Sequence, residues 1–563
     1  MTEVRLLAVA LLLGGLRDPR FFAVAGVAVF IEVWRKRPLL GPSAAFLPWL
    51  ILALLSAAAS SQPLAGLPVL ARWSAVLAYA SLAASWEEEL RREWLKILLA
   101  SAAVLALAAL WTGAGRGFCN EMTGLLPPHY NYTVFVLAAA SAAAGSCILH
   151  PERPGGERIA AGAVLALCLV AIFLSHSRGG ALGLSAGAAF LAWRRGPRLR
   201  LTVGLALAAM LAALLVIPAA RSGLFKSGRL RGEARPAIWR AAVCVAGDSP
   251  ILGEGPGNFK IGFLRHPAAT PSAAARWGLS SSYAHSEPLQ AAAETGWIGL
   301  GLWLFGAVWF LRALARRDDF DAASGAAAAA AASMSAQLLV DNMLQIPALA
   351  ALWLSALAVA GAPALSQSRW LRASAVLGGL LALLSWIPGR LAASSPQRAA
   401  AIFPADAEAY EDMAWRSEGH RDLLEAERFW LQAEARAPYN AVYPWSRARL
   451  AAASGRWGEA EALAERSIAL EPGFLRARLL RAGALLRLNR PAQATSGAAE
   501  IRRRLRAAPE GPAENGYERI VSDFDAADLK TLGRLELLAN KQGGVNPKAG
   551  RARRPPVVRD ARP

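Results

Sequence analysis

The stretch RIAAGAVLALCLVAIFLSHSRGGALGLSAGAAFLAW, Arg158 to Trp193, decides the fold class. It holds two apolar runs of helical length, 158–175 and 179–193, parted by a few polar residues that end in Arg178. A helix needs about 20 apolar residues to cross the hydrocarbon core of a bilayer, and these runs come close to that. Ala, Gly and Ser are abundant within them, as expected where helices approach closely in lipid.

Similar segments recur on both sides. Before it they are 5–16, 21–34, 44–60, 67–85, 94–112 and 131–149; after it, 199–217, 289–311, 322–343, 345–361 and 370–388. The first two are short and read equally as a pair of spans or a re-entrant pair, which leaves the parity unchanged. Composition agrees: the 563 residues are 55% hydrophobic and 18% charged, with mean hydropathy +0.32. Soluble chains carry about 25% charged residues. The net charge of +20 follows from basic loops beside membrane spans and does not call for nucleic acid. Four Cys exclude a disulfide scaffold, and no CxxC or HExxH points to zinc. Neither a metal nor a cofactor is expected.

Charge in the loops orients the spans. Alternate loops hold Arg35/Lys36/Arg37, Arg91/Arg92/Lys96, Arg153/Arg158, Arg194/Arg195/Arg198/Arg200, Arg312/Arg316/Arg317 and Arg369/Arg372. The intervening short loops hold only Arg17, Arg20, Arg116 and Arg178. The positive-inside rule then puts the N-terminus in the cytoplasm, and residues 219–288 and everything after 388 outside.

From 396 to 508 the text turns polar, charged and helical in period. Pro404, Pro438 and Pro472 are spaced by 34, as are Ala426, Ala460 and Ala494. A 34-residue helix–turn–helix period is the tetratricopeptide signature, and such stacks bind partner segments on a concave face. The expected fold is all-α: a polytopic membrane protein of about 13 transmembrane helices with a C-terminal α-solenoid. Its parts are 1–218 (N-terminal transmembrane helices), 219–288 (a large outer loop) and 289–390 (C-terminal transmembrane helices). They are followed by 396–508 (the tetratricopeptide-like domain) and 509–563 (a tail, largely disordered towards its end).

Ionisable residues at the edge of a span are costly and mark a polar cavity or a substrate path. Arg72 lies near the outer end of the fourth span and Arg178 at the outer end of the seventh. The outer loop adds Arg229, Arg231, Arg235 and Arg240. Guanidinium groups gathered at one membrane face suit a diphosphate, because the planar fork matches phosphate oxygens. Interfacial anchoring is the alternative, and it is favoured for Arg229, Arg231 and Arg240 taken singly. His285 ends the outer loop, where a neutral imidazole can take a proton from a hydroxyl; a cap or surface role is its alternative. Glu294 follows within the tenth span and either orients partners or lines the cavity. The pair Asp319/Asp321 in DDFD forms a DxD, read as charge balance beside Arg316 and Arg317 rather than a metal site. Gly253, Gly255 and Gly257 in GEGPG read as a tight turn, and Cys119 and Cys244 both fall outside, where a bond between them is one option.

Three fragments in order — SHSRGG closing a span, RPAIW…DSPILGEGPGNF in a long outer loop, HSEPLQAAAETGWIGL opening the next span — resemble the O-antigen ligase/polymerase superfamily over roughly residues 160–360. That resemblance implies a bacterial inner-membrane enzyme that moves or polymerises an oligosaccharide from undecaprenyl diphosphate at the periplasmic face. It carries functional roles onto Arg178, Arg235 and His285, while Ser286 stands where the family usually has Asn. Arg178 and Arg235 would hold the diphosphate, His285 would activate the acceptor hydroxyl, and Arg72, Arg240 and Glu294 would bind substrate. The acceptor is then a lipid, a glycan or a protein, and the repeats can take protein partners. A scaffold that recruits periplasmic partners without catalysis is the reading from another class.

Overall fold

The structure, a computed structural model, describes residues 3–36, 38, 45–116, 118, 122–127, 129–216, 234–266, 281–317, 320–361, 380, 384, 394–402, 404–507 and 516–542. Among the described residues every regular element is a helix. They form two units, one of residues up to 266 with 281–406, the other of residues from 407 onward.

In the first unit each apolar segment up to residue 361 is a helix. They are α1 (Glu3–Leu12), α2 (Pro19–Lys36), α3 (Leu47–Ala59), α4 (Gly66–Ala84), α5 (Glu88–Arg116), α6 (Tyr130–Ile148), α7 (Gly155–Ser175), α8 (Arg178–Arg195) and α9 (Pro197–Val216). The outer-loop stretch contributes α10 (Ala234–Asp248) and α11 (Phe259–Arg265). Then come α12 (Glu287–Arg316), α13 (Ala322–Leu338), α14 (Pro347–Val359) and a short α15 (Pro396–Ile402). Among the described residues five are long and apolar enough to cross a membrane: 63–84, 88–116, 130–148, 155–175 and 287–309. Helices 47–59 and 347–359 are apolar but shorter. Side chains such as Trp111, Ile159, Phe173 and Val24 stand largely exposed on their outer faces, a surface suited to lipid. The chain is a multi-pass membrane protein. The segment expected at 370–388 lies outside the described residues but for Leu380 and Leu384.

Close packing follows from small residues. Gly179, Gly183 and Gly187 recur every four positions and so make one stripe on α8. A β-carbon on Gly183 would stand 3.1 Å from the Ser333 carbonyl, and one on Gly187 would stand 2.7 Å from the Ala142 methyl. Only glycine lets α8 reach α13 and α6 at that distance. Facing it, Ala326 to Ala331 of α13 are wholly buried.

Loops of one parity meet at one end of the bundle. Arg17 of the α1–α2 turn donates to the Pro127 carbonyl before α6 (2.5 Å), and Asn258 donates to the Gln62 carbonyl between α3 and α4 (3.2 Å). The residues between α13 and α14 join them through Asn131 and Arg235, as set out below. Basic loops of the other parity pair among themselves. Lys36 meets Glu3 (2.6 Å) and Arg5 meets Glu93 (2.7 Å), while Arg194 and Arg317 lie over the Phe320 ring at 5.0 and 5.2 Å.

The second unit comprises α16 (Ala407–Gly419), α17 (Leu423–Arg436), α18 (Val442–Ala453), α19 (Trp457–Leu470), α20 (Leu475–Arg487), α21 (Pro491–Ala507), α22 (Gly516–Ser522) and α23 (Ala526–Gln542). The first six are three hairpins whose second helices start at 423, 457 and 491, the expected 34-residue step. Each hairpin turns through a left-handed residue at the same place in the repeat: Arg421, Gly455 and Asn489, with φ near 62°, 76° and 61°. Ala426, Ala460 and Ala494 are fully buried where the paired helices touch. The region is a tetratricopeptide-like solenoid. Of the segment expected as a tail, 516–522 and 526–542 are helical, and 509–515 and 543–563 lie outside the described residues.

Candidate active site

Four helix N-termini gather at the end where the weakly charged loops meet. His129 caps α6, its Nδ1 accepting from the Asn131 amide at 3.2 Å. Ser177 caps α8, its Oγ accepting from the Gly180 amide at 3.1 Å. Arg235 lies in the first turn of α10, and Ser286 precedes α12. A helix start carries about half a positive charge and unpaired amides, so this end favours an anion. A cation in the first turn is unfavourable for the helix itself, yet Arg178 and Arg235 both stand there.

One hydrogen-bonded chain ties three of these starts together, those of α6, α8 and α10. Arg235 donates through Nη1 to the Val340 carbonyl (2.7 Å) and through Nη2 to Asp341 Oδ1 (2.5 Å). Asp341 Oδ1 also accepts from Asn131 Nδ2 (3.3 Å), whose Oδ1 accepts from Ser177 Oγ (2.8 Å). Asp341 is almost wholly buried, and its Oδ2 has no hydrogen-bond partner among the described residues. Burial pushes its carboxyl up to about 6, against the opposing pull of Arg235, Asn131 and Arg178.

His285 has φ near 50°, the left-handed region, which a side chain rarely occupies without support. Three contacts fix it. The Ala284 amide donates to Gln290 Oε1 (2.6 Å), the Ser286 amide donates to Asn342 Oδ1 (3.0 Å), and the His285 carbonyl accepts from Trp239 Nε1 (3.3 Å). Burial, with Arg235 and His129 nearby, pushes the imidazole down to about 3. It is therefore neutral at physiological pH and has a lone pair to offer.

A second polar cluster adjoins the first through the same 341–345 loop. Arg72 donates to the Gln345 carbonyl (3.1 Å), and Gln345 Nε2 donates to the Tyr132 hydroxyl (2.6 Å). Glu287 accepts from the Leu344 amide (2.8 Å). The charges of Glu287, Glu294 and Tyr283 all bear on Arg72. Glu294 accepts from the Gly257 amide (2.9 Å) and from Gln290 Nε2 (2.8 Å), so it holds the GEGPG turn. That turn docks on a break in α12. At Gly296, φ 71°, the helix departs from regular geometry, and the Ala293 and Glu294 carbonyls accept from Glu254 (2.9 Å) and Gly255 (3.0 Å) instead.

The structure thus brings Arg178, Arg235 and His285 together, and places Arg72 and Glu294 in the adjoining cluster. Arg240 is exposed on α10 and belongs to neither. Arg229 and Arg231 lie outside the described residues. Asp321 is the N-cap of α13, accepting from the Ala323 and Ser324 amides at 2.9 and 2.8 Å; its DxD partner Asp319 lies outside the described residues. Cys147 and Cys168 are buried in α6 and α7, and Cys244 is a free, half-buried thiol; Cys119 lies outside the described residues. Reading 322–343 as one span hid Asp341, because α13 ends at Leu338 and the acid sits in the turn beyond it. The available signal was a lone carboxylate inside LLVDNMLQ. Asn131, Ser177 and Glu287 offered no comparable signal.

No curated protein matches the chain. Among solved structures, the TPR2B domain of yeast Sti1 in complex with an Hsp70 peptide is similar at 21% identity, covering 24% of this chain and 97% of that one, with a TM-score of 0.20. Yeast Tom70 is similar at 11% identity, covering 93% and 97%, with a TM-score of 0.24. Likenesses at such scores carry no weight for the fold, which rests on the repeat geometry above. Residues 163–304, which include Arg178, Arg235 and His285, match the O-Antigen ligase family model.

Proposed function

We propose that the first unit transfers or polymerises an oligosaccharide from undecaprenyl diphosphate onto an acceptor hydroxyl at the periplasmic face of a bacterial inner membrane. In this reading the chain crosses thirteen times, with the N-terminus inside and the solenoid outside. The observation that supports it is the convergence of Arg178, Arg235 and a neutral His285 on four helix N-termini at one end of the bundle. The diphosphate binds there, its charge matched by the two guanidinium groups and the helix starts. The acceptor oxygen attacks the anomeric carbon while the bond to the diphosphate breaks, and the diphosphate leaves with the bonding pair. The hydroxyl proton passes to the imidazole. His285 beside Arg235 is a weak base by itself; two negative charges beside Arg235 raise its proton affinity, so the base is strengthened when the donor arrives. Electrostatic stabilisation of this kind is worth about 10²–10³ in rate per donor, and the already activated leaving group makes a metal unnecessary.

The test is transfer of a labelled lipid-linked glycan by purified Arg178→Ala, Arg235→Ala and His285→Ala proteins that remain folded in detergent. Each is expected to lose transfer, and near-normal transfer by any two removes the mechanism. Loss of function on deleting 396–563, with none on changing His285, would instead favour a scaffold.

A further inference from the structure

The second unit contains a cavity of about 610 Å³ that the transfer reaction does not use. Its walls come from α16, α18, α19, α20 and α23, and its chemistry from Trp415, Trp457, Arg449, Arg487, Asp528 and Thr531. Arg449 lies over Trp415 and Trp445 at 5.5 and 4.9 Å, and Arg487 lies over Trp457 at 5.3 Å.

Cations in a solenoid groove first suggest an acidic peptide. The pairing here argues against it. Arg449 is matched by Glu418 (2.9 Å), and Arg476 at the cavity wall is surrounded by Asp523, Asp525 and Asp528 at 2.8, 3.3 and 2.7 Å. The cavity therefore offers planar donors and carboxylate acceptors side by side, next to half-buried indole rings, with little net positive field. A ligand that both donates and accepts at many hydroxyls, and packs C–H groups on a ring face, meets that lining. The space opens broadly at the surface of the second unit, and its volume is in the range of small-molecule sites.

We infer that this cavity binds a short stretch of oligosaccharide, a few sugar rings long, with the indoles as platforms and the Arg, Asp and Thr side chains reading hydroxyls. The identification of that saccharide with the glycan handled by the first unit rests on the proposed function; the binding itself does not. A transferase that holds its own glycan on a linked domain raises the local concentration of that glycan.

Gly483 supplies a gentle test, because a β-carbon there meets no atom within 4 Å and the residue lies within α20 at the cavity wall. Gly483→Leu sends a side chain from an unobstructed β-carbon towards that space and improves helix propensity, so loss of fold is not its expected effect. The probe is a set of oligosaccharides freed by mild acid from the surface polysaccharide of the cells that make this protein. Binding to the full chain in detergent is read by saturation-transfer NMR and calorimetry, with a hexaglutamate peptide as comparison. Saturable saccharide binding, weakened at least roughly tenfold by Gly483→Leu and by Arg487→Ala and unchanged in His285→Ala, is the expected result. Binding of the peptide in place of the saccharide, or of neither, overturns the inference even if His285→Ala abolishes transfer. Saccharide binding with normal transfer by both His285→Ala and Arg235→Ala would sink the proposed mechanism and leave the cavity's role standing.

Discussion

Arg235 donates to Asp341 Oδ1 at 2.5 Å across 106 residues of sequence, and the other oxygen of that carboxylate is buried without a hydrogen-bond partner among the described residues. Asp341 is thus a positioning residue for Arg235, and the half-satisfied acid ties the α13–α14 turn to the start of α10. Removing one partner of a buried ion pair costs about 3–5 kcal/mol; Arg235 is partly exposed, so the lower end applies. Asp341→Ala is expected to lower the melting temperature and to cut transfer about as much as losing one charge-stabilising donor, roughly 10²-fold. Asp341→Asn can still accept from both Arg235 and Asn131 and is expected to lose less of each. Equal melting temperatures and equal rates in both variants would refute the positioning role.

Gly179 leaves room for that acid. A β-carbon at 179 would collide with Asp341 Oδ2 and touch Gln337 at 3.4 Å. Overpacking costs about 1–3 kcal/mol, and here the part that must give way is the anchor of Arg235. Gly179→Ala is therefore expected to depress transfer far more than stability. Gly155→Ala, at a position where a β-carbon meets nothing within 4 Å, is expected to leave both unchanged. Paired melting curves and transfer assays on the two variants decide it.

The titrating groups at this end oppose one another with pH. His285, held down to about 3, binds its proton more weakly folded than unfolded, so its contribution to stability is lost as pH falls from about 6.5 towards 3. Asp341, raised to about 6, binds its proton more tightly folded, so stability is gained as pH falls from about 6 towards 4. His285→Gln is expected to flatten the acid limb of melting temperature against pH, and Asp341→Asn to steepen it between pH 4 and 6. Parallel curves for wild type and both variants would contradict these assignments.

How much of this was legible in the sequence depended on whether lipid or packing set the signal. Lipid forces long apolar runs, so each segment through 345–361 was readable to within a few residues. It also makes a stray Arg conspicuous, which is why Arg72 and Arg178 stood out, and Arg235 and His285 joined them through their place in the outer loop and the family resemblance. Asp341 was hidden because Val340, Met343 and Leu344 around it sustain an apolar reading that the end of α13 at Leu338 interrupts. Asn131 and Ser177 act through the geometry of helix starts, which ordinary small polar residues do not announce. The repeats were readable through Pro404, Pro438 and Pro472, but the cavity among their tryptophans was not, since Trp415, Trp445 and Trp457 share no period.

The hairpin turns of the solenoid carry a measurable asymmetry. Gly455 takes a left-handed conformation at no cost, whereas Arg421 holds φ near 62° with a side chain attached. That conformation costs about 1–2 kcal/mol for a non-glycine residue. Arg421→Gly is expected to raise hydrogen-exchange protection in α16 and α17, and Gly455→Arg to lower it in α18 and α19. Opposite shifts would mean that the turns, not the helices, limit local opening.

The arrangement of loops gives the most direct check on orientation. Asp18, Leu125 and His176 lie in turns of one parity, and Lys36, Glu89, Glu152 and Arg195 in or beside turns of the other. Hydrogen bonds and ion pairs gather the first group of turns at the His285 end of the bundle and the basic loops at the opposite end. If the positive-inside rule orients this bundle, single cysteines at 18, 125 and 176 react with an impermeant maleimide added outside spheroplasts, in a background free of native cysteine. Cysteines at 36, 89, 152 and 195 react only after the membrane is opened. The reverse pattern would put Arg178, Arg235 and His285 on the cytoplasmic side, where a periplasmic acceptor never meets them, and the proposed chemistry would fail with it.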